Sequence, residues 1–66
     1  MVIQVNGNDM TVEEDLNVLQ LLANLGQESK HVVVELDGDI LDKAKFGETK
    51  LTSGNVLEII QFVPGG

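Results

Sequence analysis

Apolar and polar positions alternate along this chain in two rhythms, and the changes of rhythm mark its elements. Val2-Ile3-Gln4-Val5 is strand-like, with Ile3 and Val5 on one face. Asn6-Gly7 then predicts a tight hairpin, because both central positions of a type I′ turn need φ > 0. Asp9 to Glu13 is the returning strand, with Met10 and Val12 inward. The period then lengthens. Val18, Leu21, Leu22 and Leu25 fall at i, i+3, i+4 and i+7 and form one apolar stripe of a helix. Asn17 is its predicted N-cap, Gln20 completes a capping box, and Leu16 and Leu21 stand at hydrophobic-staple spacing. The acids Glu13-Glu14-Asp15 precede the helix, where negative charge suits the positive end of its dipole. Gly26 is the predicted C′ residue.

The alternation resumes at His31. From there to Leu36 the chain is β-branched, with Val32, Val34 and Leu36 inward. Asp37-Gly38 is a second tight turn, returning through Asp39, Ile40 and Leu41. Residues 42–53 have no clean period, and Phe46 and Leu51 are expected to anchor them to the core. Ser53-Gly54-Asn55 marks a turn, and Val56 to Val63 is the final strand. A helix between hairpins in a chain this short has to pack across one face of a mixed sheet. The expected fold is therefore α+β, with the first and last strands side by side in the sheet centre. The expected division is a folded body over residues 1–62 and a flexible tail over 63–66.

Composition narrows the possibilities. The 66 residues make one domain with a small core. There is no cysteine, which removes disulfides, thiolate nucleophiles and cysteine metal sites and fits a reducing compartment. No basic leader or long apolar run appears, so the expected location is the cytoplasm, with no membrane partner. The net charge is −7, and the four basic residues are Lys30, Lys43, Lys45 and Lys50, which argues against a nucleic-acid backbone as partner. The acidity serves solubility, steering toward a basic partner, or both.

Side-chain chemistry is sparse. His31 is the lone histidine and lacks partners for a metal site or catalytic dyad. Asp37, Asp39 and Asp42 place a glycine between the first two acids, which is not the spacing of an EF-hand loop. Ser29 and Ser53 lack the setting of a nucleophile elbow, and no phosphate-binding glycine loop is present. No catalytic residue and no metal ligand are expected. The candidate chemistry lies instead at Val63-Pro64-Gly65-Gly66. Two residues without side chains can enter a narrow channel, and Gly66 carries the terminal carboxylate. Beside the tail, alternation places Leu57 and Ile59 toward the helix and Glu58, Ile60 and Phe62 outward. Ile60 and Phe62 are thus a candidate apolar docking patch ringed by acids, with Glu58 among them. The alternative readings are a frayed terminus or a remnant of cloning for the two glycines, and a Phe62 folded over a sheet edge.

The element order, the length and the terminal glycines resemble the ubiquitin-like β-grasp sulfur carriers. The resemblance is greatest to the thiamine-biosynthesis sulfur carrier (ThiS) family and runs over essentially the whole chain. It is carried by Asn17-Val18-Leu19-Gln20-Leu21-Leu22, by Val34-Glu35-Leu36-Asp37-Gly38-Asp39-Ile40, and by Leu51-Thr52-Ser53-Gly54-Asn55-Val56-Leu57-Glu58-Ile59-Ile60. Departures are Lys43 where an arginine is common, Phe46 for a tryptophan, Asn55 for an aspartate, and Pro64 for a small residue. Lysine does not reproduce an arginine fork, and Pro64 removes one N–H from the tail.

The resemblance implies a carrier rather than an enzyme. An ATP-dependent adenylating enzyme, using Mg²⁺, activates the Gly66 carboxylate; a persulfide donor supplies sulfur; thiazole synthase receives it from the Gly66 thiocarboxylate. The chain itself is then expected to bind no cofactor and to act as a monomer. Carriers for molybdopterin, cysteine or methionine synthesis share this logic. A non-catalytic ubiquitin-like interaction module and a lysine-attached modifier are the alternatives from other classes.

Overall fold

The computed structural model describes residues 1–62. The strands are β1 (Val2–Val5), β2 (Asn8–Thr11), β3 (Val32–Leu36), β4 (Asp39–Ile40) and β5 (Val56–Gln61), and the helix α1 spans Val18–Asn24. They form one mixed sheet in the order β2-β1-β5-β3-β4. β5 runs parallel to β1 and antiparallel to β3, so the last strand is central and the expected pairing of first and last strands is present. The α+β architecture expected from the pattern is the one observed.

Local signals account for most of this. Asn6 and Gly7 take φ of 50° and 84°, and Asp37 and Gly38 take 51° and 92°, the signs that type I′ turns require. Around α1 the capping box is complete: the Gln20 N–H donates to Asn17 Oδ1 at 2.7 Å, and the Asn17 N–H donates to Gln20 Oε1 at 2.9 Å. Leu16 and Leu21 are both buried, as the staple requires. At the other end the Gly26 N–H donates to the Ala23 carbonyl and the Gln27 N–H to the Leu22 carbonyl, a Schellman closure with Gly26 at φ 72°.

The helix covers one face of the sheet. Val18, Leu21 and Leu22 meet Ile3, Val5, Val32, Val34 and Leu57 in a single core. Met10, Val12, Leu25, Leu36 and Ile59 pack against it while keeping some exposure. Phe46 and Leu51 are buried as expected, and they tie the aperiodic segment down. The Val18 N–H donates to the Thr49 carbonyl, and the Leu51 N–H to the Leu16 carbonyl, so this segment runs beside the start of α1.

Several boundaries differ from the sequence expectation. Residues Lys43–Glu48 form a 3₁₀ helix, capped by Asp42 Oδ1 accepting from the Ala44 N–H at 3.0 Å. His31 closes a 3₁₀ turn, Ser29–His31, instead of starting β3. β2 ends at Thr11, although Val12 and Met1 still exchange backbone hydrogen bonds of 2.8 Å. The acids Glu13-Glu14-Asp15 precede α1 as expected, with none inside its first turn. Asp15 takes φ 64° in the approach to the helix, and Glu14 pairs with the N-terminal ammonium at 3.3 Å. β5 stops at Gln61; Phe62 lies beyond it, and Val63 with the rest of the expected tail is outside the described residues.

Candidate functional site

The sheet face turned away from α1 carries the candidate docking surface. Along β5, Leu57 is buried and Ile59 half-buried, whereas Ile60 is 51% exposed and Phe62 40%. The alternation read from the sequence thus puts Glu58, Ile60 and Phe62 on the exposed side. Register adds a neighbour that was not singled out: Ile60 lies directly opposite Val33, a half-buried residue of β3. Val33 was legible in principle, since Val32 and Val34 point inward and leave it on the other face. Val33, Ile60 and Phe62 together make a compact apolar patch where β5 leaves the sheet.

Charge around this patch is uneven. Glu58 stands opposite Glu35, so two carboxylates share the middle of the exposed face. Like charges at directly opposed positions are unfavourable in the free protein. The far border is cationic rather than acidic: the Lys43 ammonium lies 5.2 Å from the centroid of the Phe62 ring. The expected ring of acids is therefore open on one side.

Phe62, the last described residue, is well anchored. The Phe62 N–H donates to the His31 carbonyl at 3.0 Å, continuing the β3–β5 ladder past the end of β5. At the opposite end of β5, Asp37 accepts from the Val56 N–H and from Asn55 Nδ2, each at 2.8 Å. Asn6 Oδ1 accepts from the Ile59 N–H at 2.7 Å, where β1 has already turned away. The strand that leads to Gly66 is thus held along both edges. Val63, Pro64, Gly65 and Gly66 themselves fall outside the described residues.

Other candidates stay apart from this face. An open groove between β2 and α1 is lined by Met10, Val12, Leu16, Leu21 and Leu25 among others, with Glu13 its one ionisable lining residue. His31 Nδ1 lies 3.4 Å from a Glu28 carboxylate oxygen, a surface contact. Among the described residues no cluster of His, Cys, Asp or Glu is placed to hold a metal ion. No helix among them is long and apolar enough to cross a membrane.

A mixed sheet with a central C-terminal strand, grasping one helix, is the β-grasp fold of the ubiquitin-like proteins. Within that class the chain belongs to the ThiS family, whose family model matches residues 3–66. It is 38% identical over 65 residues to the sulfur carrier protein ThiS of Bacillus subtilis, covering 97% of this chain and 98% of that protein. It is also 32% identical over 66 residues to a thiazole synthase of Paramagnetospirillum magneticum, where the match spans all of this chain but 20% of the longer protein. The crystal structure of the thiamine biosynthesis protein ThiS from Geobacter metallireducens superposes with a TM-score of 0.85 at 38% identity over the whole of both chains. The solution structure of a thiamine biosynthesis protein from that organism gives 0.80, covering 88% of its chain.

Proposed function

We propose that this chain is a sulfur carrier for thiazole formation in thiamine biosynthesis, and that its reactive group is the Gly66 carboxylate. The observation that supports this most is the extent of the family match, which runs through Gly65 and Gly66 to the final residue. A carboxylate is a poor electrophile. Attack of a Gly66 oxygen on the α-phosphorus of ATP releases pyrophosphate and leaves an acyl-adenylate, whose carbonyl carbon now bears a good leaving group. The terminal sulfur of a partner's persulfide attacks the carbonyl and displaces AMP to give an acyl disulfide. A second thiol of the partners then attacks the inner sulfur, forming a disulfide and releasing the Gly66 thiocarboxylate. Thiazole synthase then draws that sulfur into the ring.

In this reading the chain contributes position and identity, and the partners contribute ATP, Mg²⁺ and acid–base groups. Glycine at 65 and 66 lets the backbone approach the adenylating centre without a Cβ in the way. Residues 63–66 supply a reach of roughly 3.3 Å each when extended. The Val33–Ile60–Phe62 patch is the surface on which the adenylating enzyme and thiazole synthase dock. The cytoplasm is the fitting compartment, because ATP and a reducing environment are both available there.

The test is intact-mass measurement after coexpression with an adenylating enzyme and a persulfide donor. A gain equal to exchange of one oxygen for sulfur, located at Gly66 by fragmentation, supports the carrier. An unchanged mass favours an interaction module, and an isopeptide-linked product favours a protein modifier.

A further inference from the structure

Phe62 is gripped through both its backbone and its ring. Its N–H donates to the His31 carbonyl at 3.0 Å, and the Lys43 ammonium stands 5.2 Å from its ring centroid. That separation is inside the range of roughly 6 Å over which a cation and an aromatic face attract. The ammonium is itself held: it donates to the Lys30 carbonyl at 3.1 Å. Lys43 opens the 3₁₀ helix Lys43–Glu48, and Lys30 belongs to the turn Ser29–His31. One side chain therefore joins two irregular segments to the residue from which the tail departs. Its neighbour Asp42 turns one carboxylate oxygen to the Ala44 N–H and caps the 3₁₀ helix that Lys43 opens.

We infer that Lys43 is a positioning residue: anchored on the Lys30 carbonyl, it holds the Phe62 ring against the body and so orients the last residue before 63–66. The consequence for function rests on the carrier reading above. A tail whose root is already oriented loses less freedom when it enters a partner's narrow site. The hydrogen bond to Lys30 matters as much as the ring contact, since an untethered lysine head would sample many positions in water. The other ring face stays available to a partner, in keeping with the 40% exposure of Phe62.

Two measurements separate the contact from its consequence. By NMR, the Lys43 ε-methylene protons are expected upfield of those of Lys45, shifted by the Phe62 ring current, and to return to the Lys45 position in Phe62→Leu. In ATP–pyrophosphate exchange with an adenylating enzyme that acts on the wild-type chain, Lys43→Met is expected to raise the half-saturating carrier concentration about threefold, the size of an exposed cation–π contact. Turnover at saturation stays unchanged, and Lys43→Arg, which can both donate and stack, restores the wild-type value. Coincident Lys43 and Lys45 signals in the wild type overturn the clamp whatever the chain carries. A ring shift that is present, with Lys43→Met matching wild type in exchange, overturns the positioning role. A wild-type chain that no adenylating enzyme modifies overturns the proposed function, and the positioning role falls with it.

Discussion

Asn55 Nδ2 donates to Asp37 Oδ2 at 2.8 Å, joining the turn before β5 to the turn after β3. The other oxygen of Asp37 accepts the Val56 N–H at 2.8 Å, and the Asp37 N–H donates to the Val56 carbonyl at 2.7 Å. Asn55 Oδ1 meanwhile accepts the Thr52 N–H at 2.6 Å. The amide of Asn55 thus uses both its donor and its acceptor, and β5 enters the sheet already in register.

An aspartate at 55, the residue common in the resembled carriers, would keep the Thr52 bond and set two carboxylates against each other. Asn55→Asp is expected to lower stability by about 1–2 kcal/mol in urea unfolding, chiefly by removing a hydrogen bond to a charged group. The loss shrinks as salt is raised, because the carboxylates are near solvent. Asp37→Asn in the same chain restores a donor across the gap, and asparagine tolerates the φ of 51° at that turn. The double variant is therefore expected to recover most of the stability, a coupling that a double-mutant cycle reads directly. Additive losses would show that the contact contributes nothing.

Asn17 supports a different joint. Its Oδ1 caps the helix, while its Nδ2 donates to the Gly47 carbonyl at 3.1 Å and so binds α1 to the 3₁₀ segment. Asn17→Asp retains the cap and suits the helix dipole, yet it faces the Gly47 carbonyl with a carboxylate. It is expected to be less stable than wild type by about 1 kcal/mol, the usual net value of one hydrogen bond. Asn17→Ala loses cap and bridge together and falls by about 2 kcal/mol. Thermal midpoints that rank Asn17→Asp at or above wild type would leave the bridge without energetic weight.

The elements most legible in the sequence were those written in neighbouring residues. Asn17 with Gln20, Leu16 with Leu21, Gly26, and the turns at Asn6-Gly7 and Asp37-Gly38 each carry their own geometry in a few positions. The 3₁₀ helix Lys43–Glu48 has neither period, and only its buried Phe46 was apparent. β5 is shorter than its apolar run because its partner β3 begins at Val32, leaving Phe62 opposite a turn residue. In the candidate site, strand parity was enough to put Ile60 and Phe62 outward. The same parity leaves Val33 on the outer face, but its place opposite Ile60 needed the register of β3 against β5, and Lys43 needed the path of an aperiodic segment.

The patch makes its own prediction. Ile60→Asp is expected to leave cooperative unfolding intact, since the side chain is half exposed and outside the core. It places a charge in the middle of the apolar contact, and a central interface residue of this kind changes affinity by more than about tenfold. The half-saturating concentration in adenylation should rise accordingly. Ile40→Asp is the control: Ile40 is 73% exposed on the same face but paired with Glu35, away from Phe62. It should stay within about twofold of wild type, the small effect usual for rim positions. Equal effects at both sites would assign them to overall charge and remove the case for a local patch.

The expected division between body and tail yields the last prediction. Among the described residues, every member of the core, and every apolar side chain packed against it, lies at or before Ile59. Removing residues 63–66 is therefore expected to leave the thermal midpoint within about 2 °C, the scale of a surface change in so small a domain. The same truncation abolishes sulfur loading, because Gly66 and its carboxylate are gone. Gly65→Val separates reach from chemistry: it keeps the terminal carboxylate but adds a branched side chain one residue before it. Adenylation should fall steeply with the fold untouched, and Gly65→Ala should lie between. A Gly65→Val chain that is adenylated as fast as wild type would mean that the partner's entry is wide, and the need for two terminal glycines would have to be explained by something other than access.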